Sequence, residues 1–539
     1  MTTARFSGLY GHWYPHGRDA LTFARALAGQ CRAVALAMQA VREFNPQAKL
    51  IQTDDLGKTH STPKLAYQAE FENERRWLSY DLLCGRVNNR HAMRQHLKDA
   101  GLPESEIDWF RSNPCPPDVI GINHYLTSER FLDHRTNRYP REFHGGNGHH
   151  KYADVPAVRV CAEGLAGTRT ILQEVWQRYG LPVAITEAHL GCTREEQMRW
   201  LLDVWDAAQD VRSGGADIRA VTAWSLLGAY DWDSLVTRGD GHYEPGVFDM
   251  RGGTPRPTAL AGVLKDIAAG RKTEHPACEV PGWWRRTERL HFPPVMPGKN
   301  GMKDLGRSAC AQLPTRDSFE VSGVPDAQMR PLMLIHDGSS ESRAFKELCD
   351  LRGLYYLFTS VDELETDNLV RLLEEWKVWA VVHSVQRPHD DFVQRLEKIA
   401  KACVQRDVPL LFCSSSDVFG DANVSSTETD NRTPRTDRGE ILAAAEERLL
   451  QVMPSALIVR SGLIFDEWQQ HGVVIDELLA LARGESVMAD CTPVTASYLT
   501  DAVNAALDLL IDGESGIRHL VNAGETSRFD LVRTAAECA

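Results

Sequence analysis

No run of apolar residues in this chain is long enough to cross a bilayer. The opening residues, Met-Thr-Thr-Ala-Arg-Phe-Ser, lack the apolar stretch of a secretion signal. Basic residues are outnumbered: 60 Lys and Arg face 74 Asp and Glu, a formal charge of -14, and no basic block interrupts that balance. A nucleic-acid partner and an anionic membrane surface are therefore excluded as main partners. The twelve cysteines form no C-x-x-C pair and no Cys/His spacing of the zinc type. Cys31, Cys349, Cys403 and Cys413 lie in apolar contexts and read as reduced core residues. Together these absences predict a soluble protein of a reducing, cytoplasmic setting, without a metal.

What is present is globular. At 539 residues, 43% hydrophobic and 25% charged, the chain can bury at least two cores. Residues 6–19 read as a loop rich in Gly, Tyr, Trp, His and Pro. Leu27, Cys31, Val34, Met38 and Val41 recur at helical spacing and predict a helix over 20–44. Short apolar runs at 49–53, 118–122, 183–185 and 218–224 read as buried parallel strands, with helical segments between them. Each run closes on polar or aromatic residues: Asp54-Asp55, Asn123-His124-Tyr125, Thr186-Glu187 and Trp224-Ser225. Alternating strands and helices predict right-handed crossovers, as in a β/α barrel or an open doubly wound sheet. In a barrel, the carboxyl ends of the strands build the site, which singles out Glu187. His144, His149 and His150 fall in a Gly-rich stretch, 143–152, that reads as a surface loop.

Four stretches in order carry a resemblance. They are Gly121-Ile122-Asn123-His124-Tyr125; Ile185-Thr186-Glu187; Trp224-Ser225-Leu226 with Asp231-Trp232; and Gly246-Val247-Phe248-Asp249 with Arg256-Pro257. Residues 1–270 thereby resemble the C-terminal part of a family 1 glycoside hydrolase of the β-glucosidase type. The resemblance implies the second half of a (β/α)8 TIM barrel and a retaining O-glycosyl hydrolase site that needs no cofactor. It makes Glu187 the nucleophile, with Tyr125 as hydrogen-bond donor to its carboxylate and Asn123 near the sugar 2-hydroxyl. Trp224 would be an apolar platform, with Asp231 and Trp232 at the sugar hydroxyls.

The departures from that family are specific. Asp231 stands where the family has Glu, Gly228-Ala229 where it has Asp-Asn, and Ala188-His189 where it has Asn-Gly. A retaining mechanism needs a second carboxyl about 5–5.5 Å from the nucleophile. The family carries that acid/base residue in an N-E-P motif, which the sequence does not contain. About four strands precede residue 270, where a closed barrel has eight. These counts predict a partial barrel, with a fragment of a longer protein favoured over a half-barrel covered by another chain.

Residues 271–330 lose periodicity and fill with Pro, Gly and charge, as in a linker whose Trp283 and Trp284 dock on a domain. From 331 to 539 a second alternation begins, with strands expected at 332–335, 354–358, 378–383, 409–414, 456–459 and 518–521. This is a Rossmann-like doubly wound pattern. Cys413-Ser414-Ser415-Ser416-Asp417-Val418-Phe419-Gly420, Glu428-Thr429-Asp430 with Pro434, and Ile458-Val459-Arg460-Ser461-Gly462 resemble the dTDP-4-dehydrorhamnose reductase type of extended short-chain reductase. The resemblance implies an NAD(P) site and a sugar-nucleotide substrate. Yet the three glycine positions of the phosphate turn fall on His336, Ser339 and Ser342, and the Y-x-x-x-K pair falls on Arg438 and Leu442. Gly338 and Ser415 are what remains of the cofactor and hydroxyl positions. Without Tyr and Lys, hydride transfer to a ketone has no proton source.

The expectation is a fusion of a β-glucosidase-like unit and a degenerate reductase-like unit acting on a small carbohydrate, with this chain alone inactive. One alternative is a non-catalytic sugar or sugar-nucleotide binding or regulatory protein. Another is a working NAD(P)-dependent reductase, against which the lost residues count.

Overall fold

A computed structural model gives the structure of the chain and describes residues 1–296, 303–304, 329–361, 364, 368–384, 391–420, 425–466, 473–487, 491 and 493–538. Two compact α/β units result: Met1–Cys192 with Glu196–Ala261 and Gly282–Ser318, and Thr193–Glu195 with Gly262–Pro281 and Phe319–Ala539. Half of the 271–330 linker expectation, residues 297–302 and 305–328, lies outside the described residues.

Unit 1 is built on a four-stranded parallel sheet in chain order: β1 (Ile51–Asp55), β2 (Val119–Asn123), β3 (Val183–Ala188) and β4 (Ile218–Ala223). Sequential, all-parallel order with helical crossovers is the arrangement of consecutive strands in a β/α barrel. The central strands open on apolar residues, of which Ile120, Ile122, Val183 and Ile185 are buried. The outer strands pair on one side only among the described residues, and Ile51 on β1 is 54% exposed. Such edges are templates for further pairing.

Helix α1 (Ala20–Phe44) has the predicted bounds because Asp19 caps it, accepting from the Thr22 amide. Its face of Phe23, Leu27 and Cys31 packs with Leu78, Leu82 and Leu83. Residues 6–19 are not wholly a loop, since Thr2–Gly8 is helical. The 143–152 stretch is only partly a loop: 147–150, with His149 and His150, connects two strands. Strands His144–Gly146 and Lys151–Pro156 join Arg130–Asp133 and Thr59–Ser61 in a small side sheet. The side chains there are engaged: His144 Nε2 lies 2.8 Å from the Thr136 carbonyl, and His150 Nδ1 lies 2.9 Å from the Tyr67 hydroxyl. Trp284 is buried, and its indole N–H donates to Asp203 at 2.7 Å.

Helix α2 (Gly167–Tyr179) leads into β3. After β4, the hairpin of β5 (Ala229–Tyr230) and β6 (Tyr243–Glu244) carries the segment with Asp231 and Trp232.

Unit 2 contains a six-stranded parallel sheet: β7 (Leu332–His336), β8 (Tyr356–Ser360), β9 (Ala380–Ser384), β10 (Leu410–Ser415), β11 (Leu457–Ser461) and β12 (Gly516–Leu520). The spatial order β8-β7-β9-β10-β11-β12 is doubly wound, with the direction of winding reversing between β7 and β9. Helices α3 (Ser340–Arg352), α4 (Phe392–Arg406) and α5 (Asp437–Val452) cover it. Met333, Val381, Leu410, Phe412 and Ile458 form the core with Leu396, Ile399 and Leu449. The core cysteines named from the sequence, Cys31, Cys349, Cys403 and Cys413, are buried and free.

Candidate active site

Strand register sets the geometry. Asp55 of β1 lies opposite Asn123 of β2, and Asn123 lies opposite Glu187 of β3, so three polar residues line adjacent carboxyl ends. The ladder shifts between Ile122 and Asn123. Such an irregularity re-aims the residues that follow it. Tyr125, two residues past β2, donates its hydroxyl hydrogen to Glu187 Oε2. Burial, and then that hydrogen bond, push the Tyr125 phenol well above its ordinary range, so it remains a donor across the physiological range. Thr186 Oγ1 donates to Asn123 Oδ1 at 2.7 Å. The NH2 group is the donor half of the Asn123 amide.

Asp55 is committed elsewhere. It accepts from Ser128 Oγ at 2.5 Å and lies 3.6 Å from the Arg5 guanidinium.

Trp224 directly follows β4. Its ring lies 5.5 Å from Trp232, tilted by 48°, and meets His189 edge-on at 4.8 Å. His189 Nε2 is 2.9 Å from Glu244 Oε2, and both side chains are largely buried. This pair ties the end of β3 to β6, and so holds the hairpin that carries Asp231 and Trp232. Asp231 Oδ1 accepts from the His242 amide at 2.9 Å. Asp231, Leu235 and Val236 have φ of 54°, 53° and 58°, in the left-handed region. Trp13 Nε1 donates to the Leu235 carbonyl at 2.8 Å and the Val236 amide donates to the Asp231 carbonyl at 2.9 Å. Gly228 has a structural reason: its φ is 85°, and a Cβ there would lie 2.5 Å from the Glu244 carbonyl.

Glu129 anchors the start of α2. It is fully buried and accepts from the amides of Ala166 and Gly167, at 2.9 and 2.6 Å, at the start of α2. His60 Nε2 lies 3.3 Å and His124 Nε2 3.7 Å from its oxygens. Burial pushes the carboxyl up, but the contacts with His124, His60 and the Gly167 amide outweigh it and hold the carboxyl below its ordinary value.

The structure thus brings Asn123, Tyr125 and Glu187 together, and Trp224 with Trp232. Sequence reading passed over Glu244 and Glu129, whose partners are remote in the chain, and noted Asp55 only as a strand-end residue. His189 was visible only as a departure from the family motif.

In unit 2, Gly338 adopts φ of 76° in the turn after β7. Ser415 ends β10, where it accepts from the Asp417 amide at 3.2 Å and from Arg438 Nη1 at 3.2 Å. The turn after β7 does not fit a dinucleotide pyrophosphate. At the first glycine position the His336 ring stacks on Phe358 at 3.7 Å and 11°, and at the second the Ser339 side chain caps α3. Among the described residues, no group of three or more His, Cys, Asp or Glu is placed to hold a metal ion.

Comparison with known proteins divides the chain the same way. The RmlD substrate binding domain matches residues 392–539. A dTDP-4-dehydrorhamnose reductase of Mycolicibacterium smegmatis is 33% identical over 145 residues, covering 26% of this chain and 44% of that protein. Human lactase/phlorizin hydrolase is 28% identical over 162 residues, covering 28% of this chain and 8% of that protein. Beta-glucosidase 47 of Arabidopsis thaliana is 27% identical over 201 residues, covering 34% of this chain and 35% of that protein. The chain therefore spans less than half of each of these relatives. Its N-terminal part is homologous to family 1 glycosidases, and its C-terminal part to RmlD-type reductases.

Proposed function

We propose that unit 1 carries the nucleophile side of a retaining β-glycosidase site, with Glu187 as the nucleophile. The observation that carries the reading is the hydrogen bond from Tyr125 to Glu187 at the carboxyl ends of adjacent parallel strands. Glu187 would attack the anomeric carbon as the glycosidic bond breaks, giving a glycosyl ester. Tyr125 holds the carboxylate in one orientation before attack. As the carboxylate loses charge to the new bond, the Tyr125 hydrogen bond weakens, so it steadies the ionised nucleophile more than the ester. The Asn123 amide supplies a donor to the sugar 2-hydroxyl, and Trp224 and Trp232 an apolar surface for the ring.

The acid/base carboxyl is not assigned on this chain. Asp55, the acid nearest in register, is held by Ser128 and Arg5. A leaving group that needs no protonation bypasses that role. A 2,4-dinitrophenyl 2-deoxy-2-fluoro-β-glucoside is therefore expected to label the Glu187 peptide, read by mass spectrometry, and not to label Glu187→Gln. Absence of label on the unaltered chain counts against the nucleophile. Unactivated aryl β-glycosides are expected not to be turned over by this chain, in keeping with the unassigned acid/base. Turnover of them, abolished by Glu187→Ala, would show that a second carboxyl is present after all.

A second reading, a sugar-binding or regulatory protein in which the site does not turn over, is favoured by that same missing carboxyl. Unit 2 extends either reading toward sugar nucleotides, through its homology to the reductase substrate-binding domain.

A further inference from the structure

In doubly wound sheets the ligand cleft opens at the carboxyl ends of the strands where winding reverses, here between β7 and β9. A dinucleotide is held there by bare backbone N–H groups of a glycine-rich turn and by the start of the next helix. In unit 2 that turn uses its own side chains instead. The Gly338 amide donates to His336 Nδ1 at 3.2 Å, the Ser339 amide to Asp337 Oδ1 at 3.0 Å, and the Ser342 amide to Ser339 Oγ at 3.4 Å. Ser342 Oγ in turn donates to the Ser339 carbonyl at 3.0 Å.

The amide at the second glycine position thus faces a carboxylate where a phosphate oxygen would need to be. A phosphate would have to displace Asp337 and then lie beside it, like charge against like. A second carboxyl, Glu341, stands in the first turn of α3. It is buried, accepts from Ser384 Oγ of β9 at 3.2 Å, and burial pushes its pKa up to about 7. The His336 ring is stacked on Phe358 of β8. Farther along the sheet, Arg438 is spent on Ser415 and Asp417, and Leu442 is buried in the core. No proton donor for hydride transfer stands at either position of the family pair.

We propose that unit 2 is closed to NAD(P) by a self-liganded turn, in which His336, Asp337 and Ser339 occupy what would be the pyrophosphate subsite. It follows that any ligand of this cleft binds without a phosphate at the turn, and that the unit carries out no nicotinamide-dependent redox step. The proposal is independent of the glycosidase reading of unit 1.

Titration of the full chain with NADH and with NADPH, read by energy transfer from tryptophan to the nicotinamide, tests it. The expected result is no saturable signal with either. Saturable binding of either dinucleotide by the unaltered chain overturns the proposal. A combined His336→Gly, Asp337→Ala, Ser339→Gly variant is expected to gain saturable binding, at least tenfold tighter than the parent. If that variant is folded by circular dichroism and gains nothing, the turn is not what excludes the dinucleotide, and the proposal fails. Asp337→Asn keeps the shape and removes the charge. It is expected to move in the same direction by a smaller factor, and it serves where the combined variant does not fold.

Discussion

Tyr125 and Glu187, 62 residues apart in the chain, meet through a hydrogen bond at the ends of neighbouring strands. The phenol donates and the carboxylate accepts, which orients the oxygen that the proposed chemistry uses. Tyr125→Phe removes the donor and little volume. The hydrogen bond itself steadies the ground state, so what the substitution takes from the rate is orientation, and misplacing a reacting group costs up to about 100-fold. The rate of labelling at Glu187 by the fluoroglucoside is expected to fall about 10- to 100-fold, with the thermal midpoint nearly unchanged. An unchanged rate would remove Tyr125 from the mechanism.

Glu129 gives unit 1 an acid limit. Its carboxyl is held below its ordinary 4.5 in the folded chain, so its contribution is fully present above that value. The contribution is lost as pH falls through the lowered folded value, because the unfolded chain takes up the proton first. Glu129→Gln leaves the amides of Ala166 and Gly167 with a weaker acceptor. It is expected to cost about 1–3 kcal/mol at pH 7 and to flatten the acid limb of a urea-midpoint profile. Equal slopes in variant and parent would assign the acid limb to other groups.

The His189–Glu244 contact is the tie between the end of β3 and the hairpin that carries Trp232. His189→Ala removes both the polar contact and the edge packed on Trp224. We expect a red shift of tryptophan emission and faster proteolysis within 225–243, with far-ultraviolet circular dichroism unchanged. Glu244→Gln, which can still accept a hydrogen bond, should show a smaller form of both. If neither readout moves in His189→Ala, the hairpin is held by its other contacts.

Unit 2 has its own acid sensitivity in His383. The side chain is fully buried between Phe392 and Phe412, and neither ring nitrogen has a hydrogen-bond partner among the described residues. Burial lowers its pKa to about 4, so the neutral form is the folded one. An unfolded histidine protonates near 6.5, so unit 2 loses stability as pH falls from there toward 4, by up to about 3 kcal/mol. His383→Phe, lined by aromatic neighbours, is expected to remove that part of the pH dependence. A parent midpoint that stays level between pH 6.5 and 4.5 would count against it.

Much of the fold could be read from residue order alone. Most strands of the two parallel sheets are built on short apolar runs, and the long helix 20–44 has its apolar stripe within it and its cap, Asp19, just before it. Bounds drifted where charge interrupted the pattern: β1 runs on through Asp54 and Asp55 because pairing with β2 continues past the apolar part. The side sheet around His144 and His150 was missed because its strands are short, Gly-rich and paired across the chain. At the site, Glu187, Tyr125 and Asn123 were legible as strand-end residues within motifs. Glu244 was not, since a single Glu 55 residues from its partner His189 carries no local signal. The closed turn of unit 2 was half legible. The missing glycines were visible, but the amide-to-side-chain contacts that replace them are a matter of geometry.

The left-handed residues Asp231, Leu235 and Val236 have a mechanical consequence. A β-branched residue such as Val236 in that region is costly, on the order of 1–3 kcal/mol each for such conformations. The segment around Trp232 is therefore sprung, held in its working shape by the Trp13 indole and by its own internal hydrogen bonds rather than by local preference. Removing the Trp13 indole takes away one of those restraints, and the strain then works against the placement of Trp232 beside Trp224.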